Sequence, residues 1–183
     1  KLDTSEITDM DQLFQYSMFN DIHSTNGIGL HNGDISNWDV SNVTNMHGMF
    51  AYAKDFNQAL NDWDVSNVTD MGYMFASANN FNQALDNWDV SNVTTMELMF
   101  QKAIAFNHAL DKWDVSNVTR MYGMFYGTTS FNQNISSWIV SNVTNMYMMF
   151  RDAIAFNIKF NNGNPLPEKT NELKDWFINN RDK

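Results

Sequence analysis

Cysteine is absent from the 183-residue chain, which excludes disulfide bonds and thiolate metal sites but leaves the redox compartment open. Basic residues are scarce, since 11 Lys and Arg stand against 21 Asp and Glu, for a formal net charge of -10. This charge repels phosphate backbones and anionic membranes, so we expect no nucleic acid partner. No apolar run approaches the roughly 20 residues that span a bilayer, so we expect no direct membrane insertion. The chain begins at Lys1 without a signal h-region, and we expect a mature or excised segment.

Motifs of catalysis and metal binding are also missing. The sequence has no G-x-S-x-G turn, no phosphate-cradling glycine loop and no H-E-x-x-H pattern. Its four histidines, His23, His31, His47 and His108, lack the spacing of zinc ligands. Because catalysis needs one asymmetric site and this sequence is repetitive, we expect neither an enzyme nor a cofactor. An enzyme would need a pocket at one end, around His23 and His31.

A unit of 25 residues recurs five times without an insertion. Its consensus is W-D-V-S-N-V-T-x-M-x-x-M-F-x-x-A-x-x-F-N-Q-x-L-x-x, and its tryptophans are Trp38, Trp63, Trp88, Trp113 and Trp138. The chain is 43% hydrophobic and 14% aromatic, which is enough apolar material for a sizeable core. A single unit is too small to bury its own apolar side chains. We therefore expect the units to stack and to share one continuous core.

Two local structures are predicted within each unit. In the first unit, Val43, Met46, Phe50 and Ala53 follow helical spacing, which predicts a short helix from Ser41 onward, capped by Ser41 or Thr44. Residues 56–65 lack helical spacing and are predicted to form extended segments and turns. The fold class predicted from this pattern is an α/β repeat solenoid of short helices and short extended segments, with 25 residues per coil.

The N-terminal end departs from the consensus, as the terminal repeats of solenoids do. Ile7, Met10 and Phe14 match apolar positions of the repeat, so residues 1–34 are predicted to contain a degenerate repeat. Residues 20–33 are rich in Gly, Asn, His and Ser, and we expect this inserted loop to cap the stack.

The C-terminal end departs as well. Five full repeats occupy residues 35–162, and the pattern then stops. Within residues 163–183, Leu173, Trp176 and Phe177 have helical spacing. We expect a capping helix there, docked on the last coil.

The repeat consensus over residues 35–162 resembles the 25-residue repeats of mycoplasma-type surface lipoproteins, a domain family of unknown function. It is also similar to the BspA-type leucine-rich repeats of bacterial and protist surfaces. The last copy departs from the pattern, with Ile139 in place of Asp and Ile158 in place of Gln. The resemblance implies a leucine-rich-repeat-like right-handed superhelix, an extracellular or cell-surface location, and a role in adhesion without catalytic residues or a cofactor.

Three polar columns recur in register with the repeat. The column that begins at Asn57 follows a core Phe, and we favour a structural asparagine ladder over a ligand site. The column from Asp39 to Asp114 either bonds its own D-V-S-N backbone in turns or binds calcium. We favour turns, because the dense acidic spacing of calcium loops is missing. The N-V-T column beginning at Asn42 is a formal glycosylation sequon that we interpret as helix-entry capping, and Asn134 begins a further sequon.

Variable side chains occur on two parts of the repeat. The helix side is rich in Tyr and apolar groups, which suit protein or glycan recognition, although the same groups can instead pack between coils. Its candidate partner-binding residues are Tyr52, Tyr73, Leu98, Tyr122, Tyr126, Tyr147 and Met148. The extended arm offers a polar alternative, with Gln58, Gln83, His108, Gln133 and Ile158 beside the Asn61 and Asp62 column.

The sequence as a whole favours an extracellular or cell-surface module that binds a protein or glycan through a repeat surface, by shallow multivalent contacts. The alternative is a structural stalk or spacer with no ligand of its own. The first function requires an exposed variable face, whereas the second predicts that the segment binds nothing.

Overall fold

The computed structural model describes residues 4–16 and 33–181. Among these residues helices occur only near the C-terminus, where α1 spans Ile154–Asn161 and α2 spans Thr170–Asn180. The repeats consist of turns, irregular backbone and single-residue β-bridges. Apart from Gly33, the inserted loop predicted at residues 20–33 lies outside the described residues, as do His23 and His31.

One residue of each repeat pairs in parallel with its counterpart in the next repeat. The bridges join Asp9 to Asn45, Asn45 to Asp70, Asp70 to Thr95, Thr95 to Arg120, and Arg120 to Asn145. Beyond the bridge, alternate N–H groups continue the pairing. Those of Met46, Gly48, Phe50 and Tyr52 donate to carbonyls of the next repeat over 2.7–2.9 Å. Successive repeats therefore stack in register, and residues 4–16 form the first repeat of the stack.

The short helix predicted from Ser41 onward is wrong, because this segment folds as consecutive turns. The N–H of Met49 donates to the carbonyl of Met46 and closes a four-residue turn. Gly48 is the third residue of this turn and has a φ of 60°. A positive φ at this place is what a type II turn requires, and it interrupts a helix. The apolar residues were still placed correctly, since Met46, Met49 and Ala53 are all buried. A run of turns points residues inward at spacings of three and four, much as a helix does.

Positive φ recurs at two positions of every repeat, which we call the left-handed positions. They are Gln12, Gly48, Tyr73, Leu98, Gly123 and Met148 in the first column, and Tyr16, Tyr52, Ser77, Lys102, Gly127 and Asp152 in the second. Left-handed backbone favours glycine because a Cβ crowds the following carbonyl. Glycine nevertheless occupies only three of these positions. At Gly123 a Cβ would also come within 2.6 Å of the Leu98 side chain.

Two columns of phenylalanine rings form the centre of the core. Rings of Phe50, Phe75, Phe100, Phe125 and Phe150 stack 5.6–5.7 Å apart. Those of Phe56, Phe81, Phe106, Phe131 and Phe156 stack 5.7–6.0 Å apart. Within a repeat the two rings lie 4.0–4.3 Å from each other. Each ring in the interior of a column thus contacts its own repeat and both neighbours, so the core is continuous along the stack.

Tryptophan adds a third column that is both apolar and hydrogen-bonded. Trp63, Trp88, Trp113 and Trp138 are at most 3% exposed. Each indole N–H donates to the backbone carbonyl 28 residues earlier, over 2.8–3.0 Å. These bonds satisfy the indole N–H groups inside the core and tie each repeat to the one before it.

The last repeat ends in α1, where the consensus predicted extended backbone. This repeat has Ile158, Lys159 and Phe160 in place of the consensus Gln-x-Leu, so the polar and leucine positions of the arm are lost. Phe156 still stacks on Phe131 at 5.8 Å, so α1 keeps its place in the core. The helix ends at Asn161, and the C-cap residue Asn162 has a left-handed φ of 52°.

The capping helix predicted after residue 163 is present as α2, with Leu173 and Phe177 fully buried. Thr170 lies one repeat length beyond the bridge residue Asn145. Its hydroxyl accepts the N–H of Met146 at 3.0 Å, where earlier repeats use a backbone carbonyl. A side chain therefore terminates the ladder of hydrogen bonds. Neither helix has the length and apolarity that crossing a bilayer requires.

We expect Thr170→Val to lower the free energy of unfolding by about 1–2 kcal/mol, because the buried N–H of Met146 loses its acceptor. Thr170→Ser retains the hydroxyl and should stay within about 0.5 kcal/mol of the unchanged protein. Urea denaturation of the two variants measures both values. Equal losses in the Val and Ser variants would show that the hydroxyl does not terminate the ladder.

Candidate functional site

The asparagine ladder predicted after the core Phe is present from Asn57 to Asn132. The Oδ1 of each Asn accepts the backbone N–H of the Asn one repeat later, at 2.9 Å for Asn57 to Asn82 and 3.0 Å for the next two steps. These side chains are exposed or half-buried, so they bridge repeats at the surface. Asn157 departs because it lies in α1, where its Nδ2 donates to the carbonyl of Phe150 at 3.3 Å.

The Asn of each N-V-T sequon forms a second ladder, which the sequence interpretation missed. Its Nδ2 donates to a Ser carbonyl in the preceding repeat, as from Asn67 to Ser41 at 2.8 Å, and the other four copies repeat this bond at 2.7–2.8 Å. The Thr two residues later donates its N–H and hydroxyl to the preceding Thr carbonyl, as from Thr69 to Thr44. The interpretation as helix-entry caps is wrong, since no helix follows these residues.

Side chains on the extended arm are also engaged between repeats. We call this surface the polar arm; it comprises Gln58, Asn61, Asp62 and their counterparts in later repeats. Gln133 donates to Asn107 at 2.8 Å, and the ring of His108 lies 3.0 Å from the carbonyl of Asn82. Lys112 pairs with Asp86 at 3.2 Å. In the last repeat Ile158 replaces the Gln and is 62% exposed. Much of the polar arm therefore holds the stack together.

The aspartate column makes the turn contacts expected from D-V-S-N. Asp64 accepts the N–H of Ser66 at 3.1 Å and its hydroxyl at 2.6 Å. Asp39, Asp89 and Asp114 make the same backbone contact with the Ser two residues later. The hydroxyl and N–H of Ser66 lower the pKa of Asp64, while burial and the Asp39 carboxylate oppose this shift. Within residues 4–16 and 33–181, no three His, Asp or Glu side chains converge as metal ligands would.

The lowered pKa values of Asp64 and Asp114 predict a small acid-dependent loss of stability. Their contribution is complete above the unfolded-state pKa of about 3.9. It disappears as the pH falls through the lower pKa of the folded state. Asp64→Asn cannot titrate at this position. We therefore expect its melting temperature to fall less than that of the unchanged protein as the pH drops from about 5 to about 3, an interval that brackets the ordinary carboxyl pKa. Parallel curves in a pH series of calorimetric scans would contradict this coupling.

A different surface lies beside the bridges, where the turns place variable side chains. We call it the turn face, and it comprises Asp11, His47, Tyr73, Glu97, Arg120, Tyr122, Tyr147, Met148 and Arg151. At its N-terminal end, the carboxylate of Asp11 lies 3.1 Å from the Nδ1 of His47. The His47 ring in turn lies 5.2 Å from that of Tyr73. Glu97 and Arg120 pair across the middle at 2.6 Å. Burial, and next the Glu97 carboxylate, raise the pKa of Tyr73.

The C-terminal part of the turn face is the most aromatic. The rings of Tyr122 and Tyr147 lie 6.1 Å apart, and the Tyr122 hydroxyl is 3.7 Å from the sulfur of Met148. Tyr147 is 43% exposed. The Arg151 side chain approaches the same sulfur at 3.9 Å and lies 3.9 Å from Glu168. Three of the candidate residues therefore form one continuous, partly exposed cluster.

The remaining candidates have other surroundings. Leu98 is only 8% exposed and lies over Gly123, so packing between repeats accounts for it. Tyr52 is 37% exposed and stacks on Tyr16 at 4.6 Å, at the second left-handed column. Tyr126 lies under the ammonium group of Lys102 at 6.0 Å. Of the seven candidate residues, only Leu98 is withdrawn from solvent.

A family model described as "Mycoplasma protein of unknown function, DUF285" matches the chain twice, over residues 1–109 and 81–182. The chain belongs to this family. The two matches together extend across all of the repeats and the described helices of this DUF285 protein. No curated protein matches the chain. No solved structure matches it either.

Proposed function

We propose that this DUF285 protein is an extracellular or cell-surface binding module whose turn face recognises a protein or glycan. The stacked repeats serve as the rigid support for that face. We also propose that they form a right-handed, leucine-rich-repeat-like solenoid, in which turns occupy the places of short helices. No cofactor or catalytic group is part of the proposal.

The observation that carries the proposal is a difference in hydrogen bonding between the polar arm and the turn face. Polar-arm side chains such as Gln133 and Asn61 bond to neighbouring repeats. On the turn face, the hydroxyls of Tyr73 and Tyr147 bond to none of the described residues, although both rings pack against a neighbour. A side chain with an anchored ring and a free polar tip is suited to contact with a partner.

The composition of the turn face agrees with recognition. Tyr, Met and Arg are enriched in protein interfaces, and Tyr and Arg supply many of the residues on which affinity depends. The sequence is nearly constant at core positions, whereas one turn-face position reads His47, Gly72, Glu97, Tyr122 and Tyr147 along the stack. Such variation on a constant frame allows one architecture to present a specific surface.

The alternative function, a stalk or spacer, is favoured by the continuity of the stack. Every step from Thr44 to Thr144 repeats the Thr bond, and every step from Phe50 to Phe150 repeats the ring contact. A stack joined in this way can provide length without binding anything. The two functions differ in one outcome, which is whether the folded segment has a ligand.

The test is binding of the purified protein to an array of glycans and extracellular-matrix proteins. The triple variant Tyr73→Ala, Tyr122→Ala and Tyr147→Ala removes three turn-face rings. The matched control Asp62→Ala, Asn87→Ala and Lys112→Ala removes three side chains from one column of the polar arm and leaves the net charge unchanged. We expect the turn-face variant to remain folded and to lose at least about tenfold in affinity, which corresponds to a single modest contact. The control should bind as the unchanged protein does.

Two results would sink the proposal. Absence of any ligand at high protein concentration would leave the stalk as the better function. Loss of binding in the polar-arm variant, with the turn-face variant unaffected, would place recognition on the polar arm.

A further inference from the structure

One methionine of the described residues lies outside the core. The repeat consensus places methionine at two positions, represented by Met46 and Met49, and both side chains are fully buried. Across residues 4–16 and 33–181, every methionine other than Met148 is at most 1% exposed. Met148 belongs to neither consensus position and is partly exposed on the turn face. Its thioether is therefore the one methionine sulfur that the described part of the chain offers to solvent.

Two hydrogen-bond donors converge on the Met148 sulfur. The hydroxyl of Tyr122, from the preceding repeat, lies 3.7 Å from Sδ, and Nη1 of Arg151 lies 3.9 Å from it. A thioether sulfur is only a weak acceptor. Both separations exceed an ordinary hydrogen bond to oxygen, about 2.5–3.2 Å, so an oxygen bonded to the sulfur has room beside the two donors. These surroundings suit a sulfoxide better than a thioether.

A peroxide converts a thioether into a sulfoxide by transfer of one oxygen atom. A sulfur lone pair attacks one oxygen of hydrogen peroxide, the S–O bond forms and the O–O bond breaks. The sulfur is oxidised by two electrons. The departing oxygen is reduced, takes up the proton of the transferred oxygen and leaves as water. Susceptibility to this reaction follows exposure, so Met148 is expected to react before the core methionines.

From these contacts we infer that Met148 is a site of oxidation by peroxides, and that Tyr122 and Arg151 donate hydrogen bonds to the sulfoxide oxygen. The inference goes beyond the proposed binding function and depends on no ligand. Oxidation of Met148 places a polar, hydrogen-bonded group at the C-terminal end of the turn face. Oxidation of a core methionine such as Met124 would instead bring a polar oxygen into the apolar interior and disrupt the stack.

Limited treatment of the purified protein with hydrogen peroxide, followed by fragment-ion mass spectrometry, locates the added oxygen. We expect Met148 to react at least about tenfold faster than the core methionines, because their exposure requires opening of the stack. In urea-unfolded protein the methionines should react at similar rates. Met148→Leu is the matched control, since Leu98 has a φ of 55° at the equivalent position. Over residues 33–181 this variant should take up no oxygen at the same dose.

Two results of the peroxide treatment would overturn the inference. One is oxidation of core methionines in the folded protein as fast as that of Met148. The other is a Met148 that stays unoxidised at a dose that oxidises free methionine.

Calorimetric scans before and after oxidation test the two donors. Tyr122→Phe keeps the ring beside Tyr147 and removes the hydroxyl. We expect oxidation to change the melting temperature about 2–4 °C more favourably in the unchanged protein than in Tyr122→Phe, because only the unchanged protein gains the hydrogen bond from this hydroxyl. The same comparison with Arg151→Ala tests the guanidinium group. Equal shifts in the unchanged protein and both variants would contradict the assignment of these donors to the sulfoxide.

Discussion

Phe100→Ala is expected to lower the free energy of unfolding by about 3–5 kcal/mol, which is the range for removing a buried aromatic side chain. The Phe100 ring is fully buried in the middle of the stack. It contacts Phe75 and Phe125, each at 5.6 Å, and Phe106 at 4.2 Å. Its loss would leave a cavity that interrupts the ring column, and the fixed hydrogen bonds on both sides restrict collapse.

Phe160→Ala provides the control for this substitution. Phe160 lies at the end of the stack, is only partly buried, and contacts Phe156 at 4.5 Å. We expect a loss of about 1–2 kcal/mol there, because only part of the side chain is withdrawn from water. Equilibrium urea denaturation, fitted to a two-state transition, gives both free energies of unfolding. Calorimetry checks that the transition is two-state. Similar losses at the two positions would show that the ring column does not form a continuous core.

Trp113→Phe is expected to destabilise the protein by about 2–4 kcal/mol, which combines a small cavity with an unsatisfied buried carbonyl. The indole N–H of Trp113 donates to the carbonyl of Leu85 at 2.9 Å. Phenylalanine preserves most of the apolar contact with Trp88 and Trp138 but has no donor. The substitution therefore removes chiefly the hydrogen bond to the preceding repeat.

Trp176→Phe is the matched control, because Trp176 lies on α2 and is only partly buried against the core. A smaller loss, about 1 kcal/mol, is expected there. Differential scanning calorimetry suits this pair, since both variants change the fluorescence that would otherwise report unfolding. A Trp113→Phe variant as stable as the control would mean that the indole bond contributes little to the stack.

The repeat length, the core residues and the C-terminal cap could be predicted from sequence because each depends on apolar spacing. Local backbone could not. Met46, Met49 and Ala53 are inward on a helix and also on consecutive turns, so their spacing does not distinguish the two. The distinguishing signal was Gly48, yet its counterparts Tyr73 and Leu98 hide the positive φ in the next repeats.

A polar column was predictable where its residues directly follow a core residue, because they then lie beside the backbone of the neighbouring repeat. Asn57 follows a core Phe, and its ladder was expected. Asn42 precedes an apolar run, which suggested a helix cap, and the same side chain proved to bond the carbonyl of Ser5 at 2.7 Å. An amide side chain suits both roles, and the choice depends on which repeat lies beside it.

Exposure of the candidate residues depended on the adjacent repeat as well. Leu98 is buried because its neighbour at the same position is Gly123, whereas Tyr147 remains exposed near the end of the stack. Sequence patterns within one repeat contain no information on this contact. They could therefore identify the turn face but not the contribution of each side chain to it.

Amide hydrogen exchange of Asn82 tests whether the repeats stack in this register, because its N–H donates to the Asn57 side chain at 2.9 Å. Asn82 is exposed, so only a bond of this kind would slow its exchange. We expect the Asn82 amide to be protected in the unchanged protein. In Asn57→Ala we expect it to lose protection selectively, with the Asn107 amide unaffected. Fast exchange at Asn82 in the unchanged protein, or no difference between the two proteins, would contradict the stacking of repeats in this register.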